Sequence, residues 1–170
     1  MNGTHQHICI HCGLCCDGTL FHHAKIKDNE PIAPGYVFEI IFGEKRAFKQ
    51  PCPYFYDHVC GIYDHRPYSC CVSFRCKLLQ SVISEKVSYT EAIKTIDEVI
   101  THRTKVELNI MKHHPENTGV SITQKMKAFE KHFTGMMDEV EFRKKFGRLL
   151  LDIFILKKKL SDSFRKSTTK

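Results

Sequence analysis

The chain has 170 residues, 42% hydrophobic and 26% charged, which is enough to bury a core and too little for a large multidomain enzyme. That composition excludes a disordered chain, a collagen-like repeat and a membrane bundle, and the longest apolar run, Leu149 to Leu156, is broken by Asp152 and too short to span a bilayer. The formal charge of +7 sits entirely in residues 141–170, where ten Lys and Arg stand against three Asp and Glu.

In chain order, Gly18 to Lys27 reads as a strand running into the breaker cluster of residues 28–35. Tyr36 to Phe42 and Lys45 to Gln50 predict a small hairpin around a Gly43-Glu44 turn. Pro51, Pro53 and Pro67 then punctuate an irregular region that has no apolar stretch long enough for a core of its own. Beyond it the pattern is helical. Ala92, Ile96, Val99, Val106 and Ile110 recur at steps of four and three, with Arg103 off the pattern, after a cap at Ser88 or Thr90. That helix should end near His113, before Pro115 and Gly119. Ser121 with Gln124 fits a capping box ahead of a stripe of Ile122, Met126, Phe129 and Phe133. After Gly135 a third stripe follows: Phe142, Phe146, Leu149, Ile153, Leu156 and Leu160, ending in a polar tail after Phe164. The reading is α+β: a small irregular cysteine-rich, metal-stapled domain over residues 1–84 with a short β-hairpin, then about three amphipathic helices over residues 85–170 that pack on it, the last one basic.

All nine cysteines lie between Cys9 and Cys76. The first four read C-x2-C-x2-C-C at Cys9, Cys12, Cys15 and Cys16; Cys52, Cys60, Cys70 and Cys76 form a second set, with Cys71 beside Cys70. Two thiolates separated by two residues can hold one metal ion, because a turn brings both sulfurs to the same side, and Gly13 eases that turn. Buried free cysteine explains nine thiols in 68 residues poorly, and disulfides fit neither the odd count nor a reducing cytoplasm. Metal binding is the remaining reading, and spacing serves two chemistries. Four thiolates around zinc make a closed tetrahedral site that contributes ~10–16 kcal/mol in small zinc-finger peptides. C-x2-C-x2-C with a distant Cys-Pro also fits the ferredoxin-type pattern for a [4Fe-4S] cluster, filled here by Cys9, Cys12, Cys15 and Cys52. Cys16, Cys60, Cys70 and Cys76 then supply a second site or share a multinuclear centre; spacing alone does not pair them.

These residues resemble the YkgJ-type cysteine-cluster family, described as a zinc- or iron-chelating domain. The resemblance rests on C-x2-C-x2-C-C, then Cys52-Pro53, then Cys60-Gly61-Ile62-Tyr63 with Arg66-Pro67 and Cys70, and Phe74, Cys76, Leu78 and Leu79 extend it. It covers about the first 80 residues, and Cys71 departs from the pattern. The resemblance implies metal chelation by the cysteines without a settled reaction. A flagellin lysine methylase is similar over the same cluster, which implies the rival reading of a metal-dependent enzyme of redox or methyl-transfer chemistry; no Gly-rich nucleotide loop accompanies it.

Arg66, Arg75 and Tyr63 are candidates to stabilise an anionic thiolate centre by charge and hydrogen bonding. Seven histidines, His5, His7, His11, His22, His23, His58 and His65, could each complete a metal site, though a solvated imidazole is the commoner case. Lys144, Lys145, Arg148 and Lys157 to Lys159 suggest phosphate contacts, but they lie off the apolar stripe and no nucleic-acid motif accompanies them. A solvated face or a helix that docks a protein partner is the stronger reading, making a metal-stapled adaptor the third class. The chain opens without a basic segment leading into an apolar one, so a cytoplasmic protein without a membrane partner is expected.

Overall fold

The computed structural model describes residues 3–41 and 45–165. It is α+β, as the sequence predicts. Helix α1 (Gly3–Cys12) leads into strands β1 (His23–Lys25), β2 (Phe38–Ile41) and β3 (Lys45–Lys49), and a second pair, β4 (Phe55–Tyr56) and β5 (Val59–Cys60), follows. Two short helices, α2 (Ser69–Ser73) and α3 (Lys77–Ile83), precede three longer ones: α4 (Tyr89–His113), α5 (Ile122–Thr134) and α6 (Glu139–Ser163). Among the described residues, no helix is long and apolar enough to cross a membrane.

The expected hairpin is present as β2 against β3, with Phe38 opposite Phe48 and Ile41 opposite Lys45. Its expected turn at Gly43-Glu44 lies outside the described residues, as does the tail beyond Arg165. The strand expected within Gly18 to Lys27 pairs antiparallel with β3, giving a three-stranded sheet of order β1-β3-β2. The β4–β5 hairpin turns at Asp57 and His58, both at positive φ (48° and 61°), the conformation that lets a two-residue connection follow the strand twist.

The three long helices match their periodicity. Ser88 caps α4 in a reciprocal box with Glu91, and Ser121 caps α5 in the same way with Gln124. Asp138 caps α6, its carboxylate accepting from the backbone N–H groups of Val140 and Glu141. The three stripes bury one another in a single apolar core. That core continues into the cysteine-rich part through Ile8, Leu14, Leu20, Leu78, Leu79 and Val82. Ile96, Ile110, Phe129 and Leu156 are fully covered, each contributing about 1.5–3 kcal/mol by leaving water. Asp152, which breaks the third stripe, is buried and pairs with Lys105 at 2.9 Å. A second, smaller cluster of Ile26, Tyr36, Phe48, Cys52 and Tyr68 lies under the sheet, with Tyr36 and Tyr68 packed edge to face at 5.1 Å. The irregular region thus shares an aromatic core with the strands.

Arg103, off the apolar pattern of α4, is only 12% exposed and reaches Asp17 at 3.2 Å. That ion pair fixes the chain just after Cys16 against the long helix. The basic residues of α6 lie outward: Lys158 pairs with Asp162 and Lys159 reaches Glu98 on α4, each within the chain.

Candidate metal centre

Helix α1, absent from the sequence reading, carries Cys9 and Cys12 on its last turn. It stops at Gly13, whose φ of +60° places it in the left-handed region and whose N–H donates to the Cys9 carbonyl at 3.2 Å. The chain then turns sharply, with Cys16 N–H donating to the Gly13 carbonyl at 2.8 Å, and Cys15 packs on the helical core while Cys16 packs on the aromatic cluster. Cys52 follows β3, and its N–H donates to the Cys16 carbonyl at 2.8 Å. Cys60 ends β5, Cys70 and Cys71 lie on α2, and Cys76 caps α3, its sulfur accepting from the Leu79 N–H at 3.4 Å.

All nine cysteines line one cavity of about 830 Å³. Within it the thiols fall into two groups. Cys9, Cys12, Cys15 and Cys76 pack against the large helical core, whereas Cys16, Cys52, Cys70 and Cys71 pack with the aromatic cluster under the sheet. The electrostatic neighbours follow this division only in part, since Cys15 also feels Cys16 and Cys16 also feels Cys9. The thiols whose charge bears on Cys12 are Cys76 and Cys9, while those bearing on Cys16 are first Cys52 and Cys60. Cys52 in turn feels Cys60 and Cys70. The ferredoxin-type spacing joins Cys52 to Cys9, Cys12 and Cys15; Cys52 packs in the aromatic cluster, and Cys76 packs with Cys9, Cys12 and Cys15 on the helical core. Cys71, outside the sequence-level set, faces the same cavity with its sulfur 3.9 Å from that of Cys70.

Burial governs the chemistry of these thiols. Desolvation pushes Cys9, Cys15, Cys52 and Cys76 up, and it takes Cys16 to about 12. Cys12 rises for the same reason. At Cys76 the backbone N–H groups of Leu79 and Leu78 oppose the rise without cancelling it. Cys70 and Cys71 act on each other in opposite senses: hydrogen bonding from Cys71 lowers Cys70, and the same contact raises Cys71. A cavity wall of neutral thiols releases protons when a cation replaces them, which couples metal affinity to pH.

Arg66 lies over Tyr63, its guanidinium carbon 3.6 Å from the ring centroid, and donates to the Cys71 carbonyl at 3.2 Å. Its Nε is buried without a protein partner. Arg75 donates to the carbonyls of Val72 and Phe74. Both guanidinium groups line the cavity, and both draw Cys9 down, less strongly than burial raises it. Tyr63 also faces the cavity, and its hydroxyl is pushed up by burial.

Of the histidines singled out in the sequence whose side chains are described, His23 is on the cavity lining, and its Nε2 is engaged by Glu39 at 2.7 Å. His11, inside the first motif, turns away to Asp97 at 2.6 Å. His5 has a side chain outside the described set.

Fold and cavity together define an α+β protein whose cysteines are gathered around a common thiol-lined space. The CxxCxxCC family model, described as “Putative zinc- or iron-chelating domain”, matches residues 8–99, just over half of the chain and inclusive of every cysteine, and the chain belongs to that family. No curated protein and no solved structure matches it.

Proposed function

We propose that this protein holds two thiolate-ligated iron–sulfur centres side by side, one on Cys9, Cys12, Cys15 and Cys76 and the other on Cys16, Cys52, Cys60 and Cys70. The observation that carries the reading is the cavity: nine thiols stand around about 830 Å³. A water molecule's share of volume is only ~30 Å³, and bare metal ions need less, so the space suits clusters whose inorganic core keeps the thiolates apart. The donor set fits, since eight cysteines give four ligands to each centre. Arg66 and Arg75 supply positive charge beside them, as an anionic centre requires. A bound cluster supplies one-electron chemistry. The chain's own contribution is to exclude water with Ile8, Leu14, Phe55 and Phe74 and to fix ligand positions from α1, β5, α2, α3 and the connections after α1 and β3.

A second reading, an enzyme acting at such a centre in redox or methyl-transfer chemistry, is favoured by the unpartnered Arg66 Nε on the cavity wall, a donor free for an acceptor group.

The experiment is iron, zinc and acid-labile sulfide analysis with an absorption spectrum on protein purified without oxygen. Iron with sulfide and a broad visible band is expected; zinc without sulfide overturns the cluster reading. Cys12→Ser and Cys76→Ser should each remove the same half of the metal, and Cys52→Ser the other half. Loss of one shared centre by Cys12→Ser and Cys52→Ser would overturn the partition.

A further inference from the structure

Outside the cysteine cavity, three side chains that the cysteine chemistry does not use converge. His114 caps the C-terminal end of α4, Glu116 follows in the connection, and His132 lies in the last turn of α5. Their ligand atoms all lie within 4.8 Å of one another. Glu116 Oε1 is 3.0 Å from His114 Nδ1 and 3.8 Å from His132 Nε2. Two imidazole nitrogens and a carboxylate oxygen on one tetrahedral zinc stand roughly 3.3 Å apart, given metal–ligand bonds of about 2.0–2.1 Å. The observed spacings differ from that by amounts that side-chain rotation supplies.

The second observation is His114 itself. It is only 7% exposed, and its buried Nδ1 makes no hydrogen bond, although the Glu116 carboxylate is close enough for one. The two atoms are near each other but not aligned as a hydrogen bond, so the buried Nδ1 is left with an approach to the carboxylate that a cation between them would satisfy. The surroundings favour positive charge as well. The carbonyl ends of α4 and α5 both meet here, each carrying the negative pole of its helix. The rings of His114 and His132 stack at 4.1 Å, so a shared ion requires the exposed His132 ring to turn out of the stack, and Phe133 flanks both.

We infer that His114 Nδ1, Glu116 and His132 Nε2 form a divalent-cation site of the zinc class, separate from the cysteine cavity, that pins the α4–α5 connection. Three protein ligands leave a fourth position for water or for a ligand from another molecule. The nitrogen and oxygen donors suit zinc and its neighbours among the transition metals and are poorly matched to calcium or magnesium.

The test uses the full chain as purified, with its cysteine-bound metal in place. After equilibration with zinc and removal of the excess, the chain should carry one zinc equivalent more than before. Glu116→Gln and His132→Asn should each abolish that equivalent while leaving cysteine-bound metal unchanged. Glu116 is 63% exposed and His132 34%, so neither change empties a buried position. Added cobalt should give visible ligand-field bands without new thiolate charge-transfer absorption. In the unaltered chain, zinc should shift the imidazole proton resonances of His114 and His132 and leave those of His65 in place. No additional equivalent in the wild type, its retention in both variants, or unmoved imidazole resonances would overturn the site.

Discussion

Gly13 is the pivot on which the first four thiols are arranged, and replacing it with alanine tests that arrangement. A Cβ at this position would lie 2.5 Å from Phe55 Cε2 and closer still to Cζ, and the backbone φ is +60°. An L-residue held in the left-handed region costs about 1–2 kcal/mol. Displacing the Phe55 ring from a packed wall costs about 1–3 kcal/mol more. The sum, ~2–5 kcal/mol, is a large part of a typical domain stability of ~5–15 kcal/mol. Urea unfolding of metal-loaded Gly13→Ala at matched free metal should therefore show a midpoint well below that of the wild type. The two contributions separate in a double variant. In a Phe55→Ala background the ring clash is gone, so Gly13→Ala should cost only the backbone share of ~1–2 kcal/mol. A Gly13→Ala protein within 0.5 kcal/mol of wild type, or the same cost in both backgrounds, would refute the reasoning.

Three other outcomes follow from particular contacts. Arg103→Met should destabilise the chain by about 1–3 kcal/mol, because it removes the ion-pair partner of the Asp17 carboxylate, 13% exposed, and leaves it only the Thr19 N–H at 2.7 Å. The double variant Asp17→Asn with Arg103→Met should recover much of that in thermal unfolding, and a double variant no better than the single one would show that the ion pair is not the cause. Ser121→Ala removes the acceptor for the Gln124 N–H at 3.3 Å and should cost ~1 kcal/mol, measured by denaturant midpoint at constant slope. With metal removed, alkali should weaken the fold. Cys16 rises from an ordinary thiol value of 9.0 to about 12, so the unfolded chain sheds this proton first, and stability present below pH 9 is lost as pH climbs towards 12. Each such thiol adds up to ~1.4 kcal/mol per pH unit, and a metal-free chain whose urea midpoint is the same at pH 8.5 and 10.5 would contradict the burial.

Periodicity along one element is a local property, and the sequence alone was enough to read it. The stripes of α4, α5 and α6, the boxes at Ser88 and Ser121, and the pairing of β2 with β3 all depend on neighbours a few residues apart. The cysteine motif is legible for the same reason, as a reason to expect metal. Helix α1 escaped because Gly3–Cys12 has no apolar stripe; it is held by packing on α4 and ended by Gly13. The partition of the thiols is a tertiary matter. Cys15 and Cys16 are adjacent in sequence and belong to different groups, while Cys76 joins Cys9 and Cys12 from more than sixty positions away. Cys71 enters the cavity only because α2 turns it beside Cys70. His114 and His132 carry no shared motif; they meet because α4 and α5 pack with their carbonyl ends together. Side-chain identity along the chain determined which atoms could bind a metal, and only the packing of helices against the sheet decided which of them come together, because a ligand set is defined by distance in space.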